Sequence, residues 1–283
     1  MRILAVGPVF DDITRFSRLW LDRLEGSLKG YADITDLGAE NATRENFEDQ
    51  VRKLDPDIVV YYDHGSQEGL YAQGGRGYVL DQDNLVLVKG KVIYTLACLS
   101  ASKLGAVANQ VYGCVYVGYV KEFAFTLEEE GLFSKAANTG LIAYVYAGAD
   151  WKRIKELMTQ AFNQAIDQAK DPWSKVWLSW DRDNLRVYAT GVDTPSSSCV
   201  FRRLILRILG PKGWLLSWAL FIGLIAYGLG IGLTLHDLYM EILEGPGDPL
   251  RIHGGYVGLG LSLLGVLMIL KEYIRLLEYF KHE

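Results

Sequence analysis

Cysteine is scarce in this 283-residue chain: Cys98, Cys114 and Cys199 are the only three. An odd, widely spaced set makes a poor disulfide framework, and free thiols in a reducing compartment fit it better. No CxxC occurs and the four histidines form no cluster with the cysteines, so a structural metal is not expected. Charge is also in short supply. The net charge is −5, which excludes the strong basic field of a nucleic-acid binder, and no nucleic-acid partner is expected. The start of the chain has no apolar leader, because Arg2-Ile3-Leu4-Ala5-Val6 runs at once into Pro8 and Asp11-Asp12. A cofactor signature is missing as well. Gly74-Gly75 has neither the strand-turn-helix setting nor the lysine of a phosphate loop and reads as turn chemistry, so no cofactor is assigned.

Hydrophobic residues, by contrast, make up half the chain, and they are concentrated toward its end. Residues 213–235 and 252–270 carry no Asp, Glu, Lys or Arg. As helices, stretches of this length would cross a hydrocarbon layer of about 30 Å. Arg202, Arg203, Arg207 and Lys212 precede the first stretch, and Lys271, Arg275 and Lys281 follow the second. The connection holds Asp237, Glu241, Glu244 and Asp248 against one arginine, Arg251. The bias of basic residues predicts a two-helix transmembrane hairpin with both ends cytoplasmic. Gly228 and Gly232 form a G-x-x-x-G, as do Gly254 and Gly258, faces that allow close helix packing within the hairpin or between protomers of a homo-oligomer. His236 and His253 read as interfacial polar residues. The division expected is 1–192 globular, 193–212 linker and basic juxtamembrane segment, and 213–283 hairpin with a cytoplasmic tail.

Within the first part, periodicity predicts strand 2–6, helix 13–28, strand 32–37, a helix capped by Thr43 and ended by Asp55-Pro56, and a strand up to Tyr62. This β-α-β-α-β order argues for a mostly parallel α/β sheet with flanking helices. Residues 66–76 read as a loop. Two hairpins are predicted, one from 78–80 and 85–88 around Asp81–Asn84, the other from 177–180 and 185–188 around Asp181–Asn184. Helices are expected over 101–110, 127–147 (one or two) and 151–166, with a strand over 114–120 and Cys114 an inert core thiol.

Two strands stand out. Asp57-Ile58-Val59-Val60-Tyr61-Tyr62 ends in Asp63, His64, Gly65 and Ser66, and Val92-Ile93-Tyr94-Thr95-Leu96 ends in Ala97, Cys98, Leu99 and Ser100. Open α/β sheets bind ligands beyond the carboxyl ends of their strands. Side by side and parallel, these two would bring an imidazole to a thiol that needs one for activation. A hydrophobic strand ending in His-Gly, followed about thirty residues later by one ending in Ala-Cys, resembles the caspase-like cysteine peptidases, among them caspases, legumains, gingipains, separases and CHAT domains. The segment between, residues 77–91, is similar to the hairpin that CHAT and gingipain-like domains place there. The resemblance covers roughly residues 1–190 and implies a caspase-like sheet, Cys98 as nucleophile, His64 as acid/base, the amides of Gly65 and Cys98 as oxyanion donors, and a protein or peptide substrate. It requires no third residue to orient the imidazole. Asp63 would face the other side of its strand and is not assigned. A preference for basic side chains would need a buried carboxylate, for which Glu68, Asp81 and Asp83 are candidates. Cys98 is followed by Leu99-Ser100-Ala101, which departs from the caspase and legumain surroundings. The competing expectations are an inactive membrane-bound interaction module, a membrane-perturbing effector, and a redox or acyl-transfer thiol.

Overall fold

A computed structural model describes residues 1–195. These belong to the first of two units into which the chain divides, Met1–Val200 and Phe201–Glu283. The juxtamembrane segment, the two apolar stretches, their glycine faces, Cys199, His236 and His253 lie outside the described residues. Among the described residues, no helix is long and apolar enough to cross a membrane.

The elements alternate in the expected way. Strand β1 (Arg2–Gly7), helix α1 (Asp12–Leu28), β2 (Asp33–Gly38), α2 (Arg44–Leu54) and β3 (Ile58–Tyr62) come first. A short pair, β4 (Gly69–Tyr71) and β5 (Tyr78–Asp81), follows, then β6 (Val92–Leu96), α3 (Leu104–Tyr112) and β7 (Val115–Tyr119). Helices α4 (Glu130–Ala147), α5 (Trp151–Gln168) and α6 (Pro172–Asn184) lead to β8 (Leu185–Tyr188). The main sheet has the order β2-β1-β3-β6-β7-β8. All its pairs are parallel except β7 with β8, which is antiparallel.

Burial explains why the strands are so apolar. Every residue of β3 and β6 is buried, because helices cover both faces of the sheet. On one face Trp20, Leu24, Tyr62, Tyr94, Phe133 and Phe162 form a cluster with α1, α4 and α5. On the other, Phe47, Val51, Leu80, Leu104 and Tyr116 join α2, α3 and the hairpin. Burial on this scale stabilises by roughly 1.5–3 kcal/mol per large apolar side chain.

Both predicted hairpins are corrected. The strand Tyr78–Asp81 pairs with Gly69–Tyr71, inside the segment expected to be a loop, and not with Leu85–Val88. Leu85–Val88 is a turn of 3₁₀ helix. Asn84 makes it so: its side chain accepts from Asp81 N at 2.9 Å and donates to Val79 O at 2.8 Å, closing the chain back on itself. Residues 177–180 are helical, within α6. Asp171-Pro172 marks a start as much as a stop, since Asp171 accepts from Ser174 N at 2.7 Å as N-cap and Pro172 opens the first turn. Of the second hairpin only β8 keeps its predicted strand, and its partner is β7.

Candidate active site

The register of β3 against β6 places the two motif residues. Tyr62 lies opposite Leu96, and the ladder continues one bond further, from Asp63 N to Leu96 O at 3.2 Å. Two residues on, His64 and Cys98 occupy matching positions at one rim. Tyr62 and Leu96 share one core cluster, and beyond them the His64 ring meets Asp11 at the start of α1 while the Cys98 thiol meets Phe123. Gly65 closes the gap between the strand ends. A Cβ at position 65 would stand 2.8 Å from Ala97 Cβ and 3.0 Å from Cys98 O, so only glycine fits. Tyr71 N donates to His64 O and Ser66 N to Gly69 O, which leaves the Gly65 amide facing away from β4. Among the described residues it meets no acceptor.

His64 is held by a residue that no sequence motif singled out. Its Nε2 lies 2.8 Å from Asp11 Oδ2, and its ring rests against Phe10 with centroids 5.8 Å apart. Asp11 is the N-cap of α1. Its Oδ1 accepts from Thr14 N at 2.8 Å, and Thr14 Oγ1 accepts in return from Asp11 N at 2.9 Å. One carboxylate oxygen thus fixes the helix start and the other the imidazole. Burial alone would raise the Asp11 pKa, but the Thr14 amide and His64 outweigh it and hold the carboxylate below its ordinary value.

Asp63 is buried, as its place on the opposite strand face requires. One of its oxygens accepts from the His64 backbone amide, and the other has no partner. Burial pushes its pKa up to about 7, assisted by repulsion from Asp11 and opposed by His64.

The Cys98 thiol is half-buried and faces the segment after β7. Phe123 N donates to Sγ at 3.4 Å, and Phe123 O lies 3.9 Å away. Burial raises the thiol pKa, and the carboxylates of Glu122 and Asp181 add to the rise, while the Phe123 amide opposes it. No hydrogen bond joins Cys98 to His64 among the described residues: the imidazole turns to Asp11 and the thiol to Phe123. The turn after Cys98 is strained, with Leu99 at φ +59°. A left-handed conformation there costs roughly 1–2 kcal/mol for a residue with a Cβ. Backbone bonds Leu99 N to Lys121 O and Ala101 N to Tyr119 O, both 3.0 Å, hold it.

Behind this segment lies Asp181 of α6, fully buried, accepting from Ala124 N at 3.1 Å and with its second oxygen unpartnered. Burial raises its pKa well above the ordinary carboxylate value. It is the buried carboxylate beside the thiol. The candidates Glu68 and Asp81 are engaged elsewhere, Glu68 with Lys103 and Asp81 with Arg44 at 2.6 Å. Asp83 lies in the turn that follows β5, its amide donating to Asp81. Cys114 is buried, donates to Val88 O at 3.1 Å, and is raised to about 11 by burial, as befits a core thiol. Among the described residues, no three His, Cys, Asp or Glu side chains converge to hold a metal ion. No protein-family model matches the chain, and no curated protein does either.

Proposed function

We propose that the chain is a caspase-like cysteine endopeptidase, carried on a membrane by its C-terminal hairpin with the α/β domain and the C-terminus in the cytoplasm. The observation that carries the reading is the common register: Tyr62 lies opposite Leu96 in adjacent parallel strands, and His64 and Cys98 each follow two residues on. In the mechanism, Cys98 gives its proton to His64 and the thiolate attacks the peptide carbonyl. The amides of Gly65 and Cys98 take the oxyanion. The imidazolium protonates the leaving amine, and water then hydrolyses the thioester to return the thiol. The attack requires the sulfur to turn from Phe123 toward the imidazole.

The test is covalent trapping. An electrophilic peptide should add to Cys98, as read by mass spectrometry of the digested adduct, and Cys98→Ala should abolish both adduct and peptide hydrolysis. Adducts spread equally over Cys98 and Cys199, or hydrolysis unchanged in Cys98→Ala, would overturn the reading. The thiol's bond to Phe123 in place of His64 favours the second reading, an inactive membrane-bound interaction module, which predicts no adduct at all.

A further inference from the structure

We propose that the exposed face of α6 docks on a lipid bilayer surface. Trp173, Val176, Trp177 and Trp180 recur at i, i+3, i+4 and i+7 and therefore share one side of the helix. The other side, Ser174, Leu178 and Asp181, is buried. Trp173 is 64% exposed, Val176 50% and Trp180 38%. Three of the seven tryptophans of the chain stand on this one helix. Contiguous aromatic surface of this kind marks an interaction site.

The indoles identify the occupant. Trp173 and Trp177 stack with centroids 6.5 Å apart at 24°. Trp180 donates its Nε1–H to Glu122 O at 2.8 Å. Neither Trp173 nor Trp177 has an acceptor among the described residues. A protein partner that buried those N–H groups would have to supply an acceptor for each. The headgroup layer supplies carbonyl and phosphate oxygens everywhere, with apolar chains just beneath, and this is where membrane tryptophans concentrate. Lys170 before the helix and Lys175 within it are exposed, as are Glu122 and Glu128.

The rest of the chain points the same way. Residues 213–235 and 252–270, both without a charged side chain, follow the last described residue. The intervening residues 196–212 reach at most about 60 Å when extended. A domain tethered this closely meets the bilayer at high effective concentration, so a small apolar face suffices. The proposal rests on the reading that these stretches span a membrane and not on peptidase chemistry. Trp180 holds Glu122, whose neighbour Phe123 bonds the Cys98 thiol, so one short segment links the docked face to the thiol. On the peptidase reading, the peptides within its reach are juxtamembrane segments of other membrane proteins.

The test uses the full chain labelled with fluorotryptophan in nanodiscs of phosphatidylcholine and phosphatidylglycerol containing a headgroup-nitroxide lipid. Fluorine resonances are assigned by single Trp→Phe substitutions. Trp173 and Trp177 should broaden along with Trp214 and Trp218 of the first apolar stretch, while buried Trp20 stays sharp. Trp173→Glu with Trp177→Glu should relieve the broadening of Trp180. Sharp Trp173 and Trp177 beside broadened Trp214 and Trp218 would overturn the docking, and a shift of the two on dilution would instead assign the face to a second copy. Sharp resonances throughout would overturn the membrane reading itself.

Discussion

At the residue scale, the candidate chemistry depends on what surrounds one imidazole. Asp11 bonds Nε2 from the loop before α1, and Asp63 sits beneath the His64 backbone. On the peptidase reading, an imidazole fixed through Nε2 leaves Nδ1 for the thiol and the leaving group, and Asp11 would position His64. Asp11→Asn retains the helix cap, because asparagine caps as well as aspartate. It should lower kcat for peptide hydrolysis about 10- to 100-fold, a part of the 10²–10⁴ that acid/base groups contribute, with KM little changed. An unchanged kcat with a normal thermal melt would show that the dyad works alone. Asp63 makes an independent prediction about stability. Its folded pKa of about 7 lies above its ordinary value of 3.8, so between these the native state holds a proton that the unfolded state has released. Its contribution is therefore most favourable below pH ~4, erodes as pH rises to about 7, and stays at its least favourable above that. Asp63→Asn removes the erosion. The variant should match the parent near pH 4 and exceed it at pH 8 by a few kcal/mol, since each tenfold difference in proton affinity between the folded and unfolded states is worth about 1.4 kcal/mol. Denaturant melts across that range measure it, and a difference independent of pH would refute the assignment.

At the scale of elements, β3 and β6 were legible because a strand buried on both faces leaves an unbroken apolar run in the sequence. The polar residues that end such a run mark the rim, which is why His64 and Cys98 could be picked out. The Asp11 contact was not legible, since it joins residues 53 apart in the chain through a loop conformation. The aspartate and threonine of Asp11-Asp12-Ile13-Thr14 form a capping box that would have flagged the helix start, though not its grip on the histidine. Asp181 was not legible because α6 itself was not: Val-Trp-Leu-Ser-Trp alternates like a strand, although Trp173 and Trp177 stand at the i, i+4 spacing of a helix. The end of β6 rests on a small polar knot that no local pattern reveals. Thr95 Oγ1 and Ser100 Oγ lie 3.0 Å apart, and Ser100 Oγ donates to Ala97 O at 3.0 Å. Gly118 of β7 packs directly on it; a Cβ there would lie 2.6 Å from Thr95 Oγ1 and 2.8 Å from Ser100 Oγ. Gly118→Ala should cost about 1–3 kcal/mol in a chemical melt through overpacking. It should also slow trapping of Cys98, because the knot anchors the turn that carries the thiol. Parent-like stability and trapping would show that this knot yields freely.

For the whole molecule, the proposal couples a domain to a bilayer, and the coupling has a direction. Arg202, Arg203, Arg207 and Lys212 stand before the first apolar stretch, Lys271, Arg275 and Lys281 after the second, and acidic residues fill the short connection. Lysine and arginine flanking a span stay on the cytoplasmic side, whereas acidic residues contribute little to orientation. The connection should therefore face outward, and residues 1–195 should share a side with the C-terminus. Introduced cysteines report this directly. In intact cells, Glu244→Cys should react with a membrane-impermeant maleimide, while Lys281→Cys should react only after permeabilisation. The reverse pattern would place the Cys98 rim outside the cell, in a compartment where its free thiol would be oxidised and the peptidase reading would lose its reducing environment. Labelling of both sites without permeabilisation would deny the hairpin altogether, and with it the tether that lets the tryptophan face of α6 find a membrane.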